Sequence, residues 1–264
     1  MPVIPSAPVS AGPLALVTGG HRRLGARIAA ALAGEGYRIA IHGSHDAEPE
    51  AALAAALSVS GRDWHGFVAD FAEPESAERL MEAVIERFGD APDLLVNSAS
   101  LFGQDRLDDV SADDLSRHFA VNASAPALLT KALAKAVPVG EEGRDRSIVN
   151  ILDQRLNHPH GDQFAYTLSK FALAGLTRTS ARVLAPRIRV NAVAPGLTLA
   201  TPDYAREQTE RLAGAMPLAR LPRPEEVAEA VLYLARARAT TGQVIHVDGG
   251  AHMLSWPGDF MNLE

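Results

Sequence analysis

The sequence predicts a single α/β domain: a doubly wound parallel sheet of about seven strands with helices on both faces. Two observations predict it. Short apolar runs alternate with longer helical patterns almost without exception, and that order requires right-handed crossovers between parallel strands. No repeat, charge block or linker divides the 264 residues. The composition agrees, because 47% hydrophobic and 22% charged residues are ordinary for a globular chain with a substantial core.

Leu14 to Thr18 (LALVT) reads as the first buried strand. Gly19-Gly20 breaks it, and a helical pattern runs from Leu24 to about Leu32, ended by Gly34 and Gly36. Tyr37 to His42 is the second strand, Glu48 to Leu57 the second helix, and Trp64 to Ala69 the third strand, ending at Asp70. Pro74 stands at the start of a helix reaching Phe88, where its missing N–H costs nothing. Asp93 to Val96 is the fourth strand, followed by Asn97-Ser98-Ala99-Ser100. Ser111-Ala112-Asp113-Asp114 has the pattern of a capped start for one long helix toward Val137. Ile148 to Leu152 is the fifth strand, and a helix through Tyr166 and Lys170 continues to about Leu184. Arg187 to Val193 is the sixth strand. Thr201 to Met216 reads as one or two short helices after a Pro-Gly turn, within a lid expected around 197–217. Pro224 to Ala237 is a further helix, and Gln243 to Val247 the seventh strand. Residues 1–12, rich in Pro, Ala and Ser without a basic start, read as a flexible tail and not a signal peptide. The domain is expected over 13–264.

Bulk properties exclude several functions. The formal net charge is -7 and basic residues are scattered apart from Arg22-Arg23, which argues against a nucleic-acid partner. No apolar run approaches a membrane span. With no cysteine there is no disulfide framework, thiolate metal site or cysteine nucleophile, and no metal is expected. A cysteine-free chain fits a reducing compartment, so a cytoplasmic location is expected.

In open α/β sheets, ligands bind at the carboxyl ends of the strands. Here those ends carry Gly19, His42, Asp70, Asn97, Asp153 and Pro195. The first turn, Thr18-Gly19-Gly20-His21-Arg22-Arg23-Leu24-Gly25, lets the backbone approach a pyrophosphate at a helix N-terminus. That makes the fold Rossmann-type and the ligand a dinucleotide. The second strand ends His42-Gly43-Ser44-His45, with no carboxylate before Asp46 to take a ribose 2′-hydroxyl. Arg22 and Arg23 suit a 2′-phosphate, because a guanidinium donates two hydrogen bonds from a planar fork. NADPH is therefore preferred to NADH. His42 and His45 stay open between ligand contact and plain strand-end residues.

Tyr166 and Lys170 are one helical turn apart and share a face. A free tyrosine titrates at about 10. The i,i+4 spacing predicts that Lys170 lowers it, making Tyr166 a proton donor near working pH. Asp153 stands just past the fifth strand and is expected to be buried near few charges. It can serve that proton transfer or simply cap the loop before Gln154. Phe102 is open between substrate contact and core packing.

These motifs resemble the short-chain dehydrogenase/reductase family over essentially the whole chain. Thr18-Gly19-x3-Arg23-Leu24-Gly25 is similar to its cofactor turn, and Asp70 (with Phe71 beside it) to the acid near the adenine. Asn97-Ser98-Ala99-Ser100 resembles its Asn-Asn-Ala-Gly segment, with Ser98 in place of the second asparagine. Asn122 matches the active-site helix asparagine and Tyr166-x3-Lys170 the catalytic pair. Pro195-Gly196-Leu197 matches the turn beside the nicotinamide, and Val247-Asp248-Gly249-Gly250 the C-terminal strand signature. The resemblance implies that Lys170 holds the nicotinamide ribose, with Asn122 supporting it through a water. The usual serine is replaced by Asp153. The Arg-Leu-Gly turn, that aspartate and Phe102 look like the pteridine reductases and the bacterial dihydromonapterin reductases. In that subfamily the phenylalanine stacks on the pterin opposite the nicotinamide. The resemblance thus implies NADPH-dependent reduction of a dihydropterin, with Phe102, Ser100, Asp153 and Tyr166 at the substrate. It also implies a homotetramer, and the Leu168/Phe171/Ala172/Gly175/Leu176 stripe suits either the sheet or a partner. The rivals are a general NADPH-dependent carbonyl reductase of the same family (3-ketoacyl, sugar or alcohol) and a catalytically silent NADPH-binding regulator. Asp153 weakens the first, and intact Tyr166 and Lys170 the second.

Overall fold

A computed structural model describes residues 12–137, 144–199 and 206–262. Of the expected tail only Gly12 falls within them, and residues 200–205 of the expected lid lie outside. The chain forms one seven-stranded sheet with β1 (Leu14–Thr18), β2 (Arg38–Gly43), β3 (Trp64–Val68), β4 (Leu94–Asn97), β5 (Arg146–Ile151), β6 (Ile188–Pro195) and β7 (Val244–Val247). The order across the sheet is β3-β2-β1-β4-β5-β6-β7, and every neighbouring pair is parallel. Strand order reverses direction between β1 and β4, which opens a crevice at their carboxyl ends.

The helices α1 (Arg23–Gly34), α2 (Ala51–Ser60), α3 (Ser76–Phe88), α4 (Ala112–Phe119), α5 (Ala125–Ala136), α6 (Phe164–Leu184), α7 (Arg206–Ala215) and α8 (Pro224–Arg236) complete the domain. Alternation along each strand divides its side chains between two cores. Ala15, Val17, Ile39 and Ile41 meet Ile28 and Leu32 of α1, Leu53 of α2 and Val231 of α8. Leu14, Leu16, Leu95 and Ile148 meet Leu80 and Val84 of α3, Leu129 of α5 and Leu184 of α6 on the other face. Each such fully buried aliphatic side chain is worth roughly 1.5–3 kcal/mol over its exposed state.

One expectation needs correction. The sequence predicts one continuous helix from Ser111 toward Val137. Its capped start is present, with Ser111 Oγ accepting from the Asp114 N–H at 3.1 Å and Asp114 Oδ2 from that of Ser111 at 3.1 Å. The helix is interrupted, however, by a π-helical turn at Ala120–Ser124. One extra residue in that turn sets the Asn122 carboxamide against Leu101 and Ser169. The structure also shows the two sides of α6, whose apolar stripe was open between the sheet and a partner. Its sheet side is Leu173, Thr177, Ala181 and Leu184, whereas Phe171 of the apolar stripe is 42% exposed and faces away.

Candidate active site

At the carboxyl ends of the strands lies a cleft of about 690 Å³, within the range of small-molecule sites. Every residue assigned from the sequence to cofactor, substrate or catalysis lines it, except Asn97 and Asn122. Asn97 sits beneath, its Nδ2 donating to Asn150 Oδ1 at 2.7 Å. It joins β4 to β5, so its side chain is engaged beneath the cleft. Asn122 is fully buried. Its Oδ1 accepts from the Leu101 N–H at 2.7 Å, and its Nδ2 donates to the Leu101 carbonyl and Ser169 Oγ at 2.9 Å each. It therefore ties the loop carrying Phe102 to the helix carrying Lys170.

The turn after β1 is built for close approach. Gly19 has φ +61°, and a Cβ there would lie 2.9 Å from Ala99 Cα. A Cβ on Gly25 would lie 2.1 Å from the Gly19 carbonyl oxygen. Thr18 Oγ1 accepts from the N–H groups of Ser98 and Ala99 at 3.0 Å each, latching β1 to the segment after β4. Such a glycine cradle at the start of α1 fits a dinucleotide pyrophosphate. Arg22, Arg23, Ser44 and His45 line the same end and are exposed, so cationic donors are available to a 2′-phosphate there.

His42 has a different task from a phosphate ligand. Its Nδ1 accepts from the Gly19 N–H at 3.2 Å, which leaves Nε2 to donate to the Ala69 carbonyl at 2.8 Å. Burial lowers its pKa to about 4, and its ring stacks on Phe71 at 4.3 Å. A neutral His42 thus fastens the glycine turn to the end of β3.

At the other end, Tyr166 Oη donates to Asp153 Oδ2 at 2.9 Å. The other carboxylate oxygen, Oδ1, accepts from the Arg155 N–H at 2.9 Å, so Asp153 caps the short 3-10 turn Gln154–Asn157 and also faces the phenol. Lys170 Nζ donates to the Ile151 carbonyl at 2.9 Å, and burial lowers its pKa to about 8. The i,i+4 spacing predicts a Tyr166 lowered by Lys170. Instead burial, reinforced by the Asp153 carboxylate, pushes Tyr166 well above its ordinary value, and Arg155 is the cation that opposes the shift. The geometry agrees, since the Tyr166 hydroxyl points its proton at Asp153. Phe102 is 45% exposed at the mouth, with its ring edge-on to Tyr166 at 4.9 Å. It is not core packing.

Sequence inspection misses Arg155, Gln163 and Asp259. Arg155 fills the space beside Asp153, where few charges were expected, with its Nε 3.4 Å from Asp153 Oδ1. Its position two residues beyond the carboxylate was the available signal. Asp259 lies 104 positions further along, and nothing local marks it. Trp256, Phe260 and Met261 bring the C-terminal segment into the cleft wall.

Comparison with known proteins fixes the family. The enoyl-(acyl carrier protein) reductase family matches residues 20–252. The chain belongs to the short-chain dehydrogenase/reductases. Within this family, it is 34% identical over 280 aligned residues to pteridine reductase 1 of Leishmania tarentolae, covering 90% of this chain and 96% of that protein. It is 32% identical over 252 residues to the 3-oxoacyl-[acyl-carrier-protein] reductase FabG of Staphylococcus aureus, covering 90% and 98%. The crystal structure of FolM alternative dihydrofolate reductase 1 from Brucella canis, complexed with NADP, superposes with a TM-score of 0.82. It is 39% identical, covering 94% of this chain and 97% of that one. Family membership confirms the fold expected from the motifs and makes the chain an oxidoreductase.

Proposed function

We propose that this protein reduces a dihydropterin to the tetrahydropterin with NADPH. The observation that carries the proposal is the Tyr166–Asp153 hydrogen bond of 2.9 Å, a carboxylate where a carbonyl reductase would present a hydroxyl. Reducing a ring C=N bond places hydride on carbon and a proton on nitrogen. NADPH supplies the hydride when bound. Gly19, Gly25 and the start of α1 would hold its pyrophosphate, Arg22 and Arg23 its 2′-phosphate, and Lys170 its nicotinamide ribose. Tyr166 and Asp153 share a proton that a ring nitrogen can take, and the carboxylate can accept from the amino and ring N–H edge of a pterin. Phe102 offers the flat apolar wall such a ring needs. Similarity to pteridine reductase 1 and to FolM supports the reading. A cytoplasmic homotetramer, with the exposed Phe171 face between copies, belongs to the same proposal.

The test follows NADPH oxidation with a dihydropterin and, separately, a ketoacyl thioester. The expected result is turnover of the dihydropterin, lost in Asp153→Ser while NADPH affinity is kept. Turnover of the thioester alone would favour the carbonyl reductase, and NADPH binding without any turnover the silent regulator. Undiminished pterin reduction in Asp153→Ser would remove the role given to that carboxylate.

A further inference from the structure

Beside the proton-handling pair lies a charged cluster that the hydride-transfer reading does not use. The Arg155 side chain is 7% exposed. Its Nη1 donates to Gln163 Oε1 at 2.8 Å and its Nη2 to Asp259 Oδ2 at 2.7 Å. Its Nε stands 3.4 Å from Asp153 Oδ1 and makes no hydrogen bond. The guanidinium carbon also lies 5.0 Å from the Tyr166 ring centre and 5.7 Å from that of Phe102. One cation thus faces the carboxylate, the phenol and the aromatic wall.

A buried guanidinium is costly unless its N–H groups are paired, so a residue needed only for packing would be apolar here. The pairing comes from far along the chain. Asp259 is itself pinned, since its N–H donates to Asp162 Oδ2 at 2.9 Å and its Oδ1 accepts from the Met261 N–H at 2.9 Å. Asn262 Nδ2 reaches the same Asp162 oxygen at 2.9 Å. The C-terminal segment therefore holds the arginine, and the arginine flanks the carboxylate that takes the Tyr166 hydrogen bond.

We propose that Arg155 is a positioning residue for the reaction. Held by Asp259 and Gln163, it keeps the Asp153 carboxylate turned toward the Tyr166 hydroxyl, and residues 258–262 thereby contribute to turnover. The proposal rests on Asp153 and Tyr166 as the reacting pair and not on the identity of the substrate. Without the cation, Asp153 keeps only its cap to the Arg155 N–H to orient Oδ1, and Asp153 and Asp259 flank an uncharged side chain. Misplacing a proton-handling group costs rate more than it costs affinity.

The test uses full-length Arg155→Met, Arg155→Lys and Asp259→Asn. NADPH affinity is read by fluorescence titration. Values of kcat and KM are read with whichever of a dihydropterin or a ketoacyl thioester the wild type reduces. A loss of about 100-fold in kcat is expected for Arg155→Met, with Arg155→Lys within about tenfold of wild type and Asp259→Asn reduced about tenfold. KM and NADPH affinity should change by less than about threefold in all three. The proposal is overturned if Arg155→Met keeps kcat within about threefold of wild type, or if NADPH affinity falls in step with kcat. Should Arg155→Met not fold, the other two decide: loss of turnover in Arg155→Lys with none in Asp259→Asn would mean packing alone. Wild-type turnover of the thioester and not the pterin would sink the pterin proposal and leave this comparison intact.

Discussion

Lys170 shows how burial sets chemistry at a single residue. Its side chain is 2% exposed, and desolvation lowers its pKa from 10.5 to about 8. Above about 10.5 the amine is neutral folded or unfolded, and the shift has no effect. Below about 8 it is charged in both states, and the folded state carries a penalty of about 3 kcal/mol at roughly 1.4 kcal/mol per pH unit. Stability should therefore rise through the window from about 8 to 10.5. Urea unfolding of wild type and Lys170→Met at about pH 7.5 and 9.5 reads this directly, with wild type gaining about 2 kcal/mol on the variant. Equal changes in the two proteins would show that Lys170 does not titrate in that window. At this scale the sequence was informative where spacing carried the signal. Tyr166, Lys170 and Asp153 meet as their positions on one helix face and at one strand end require. The upward sign of the Tyr166 shift was not legible, because it comes from burial and from the facing Asp153 carboxylate outweighing Arg155, a balance only the folded chain supplies.

Among the elements, the π-helical turn at Ala120–Ser124 had no clear sequence mark, since Ser111 to Val137 reads as continuous helix by periodicity. Its consequence is specific. It puts the Asn122 carboxamide on both backbone groups of Leu101 and on Ser169, bridging the loop before Phe102 to the catalytic helix. Replacing Asn122 with Ala leaves the Leu101 N–H without its partner in a partly buried loop. Unsatisfied groups of this kind cost roughly 1–3 kcal/mol. Urea denaturation should show that loss, and KM for the ring substrate should rise more than the NADPH dissociation constant, because Phe102 follows the loosened residue. A variant as stable as wild type with unchanged KM would show that the loop holds itself. The strands and the outer helices were more legible, because turn glycines and apolar runs mark them locally. Boundaries moved by a residue or two at most ends, as at β6, which extends to Pro195.

Across the whole molecule, the cleft joins two halves of one sheet at the place where strand order reverses. Gly19 and α1 belong to one side, Ala99 and the Tyr166 helix to the other, and Thr18 bridges them. A ligand lying across that junction binds only the folded chain, so it must stabilise the whole domain. At a concentration about 100 times its dissociation constant, NADPH should add about 2.7 kcal/mol to unfolding. Gly25 controls this at the narrowest point, since a Cβ there would sit 2.1 Å from the Gly19 carbonyl oxygen. The turn must open to admit it, and the N–H groups proposed to hold the pyrophosphate move with it. Gly25→Ala should reduce the NADPH-dependent increment to about 0.4 kcal/mol at the same concentration, as a roughly 100-fold weaker affinity requires. The increment, and not the variant's own stability, is the quantity to compare, because the substitution costs stability with or without cofactor. An undiminished increment in Gly25→Ala would place the pyrophosphate elsewhere than on this turn.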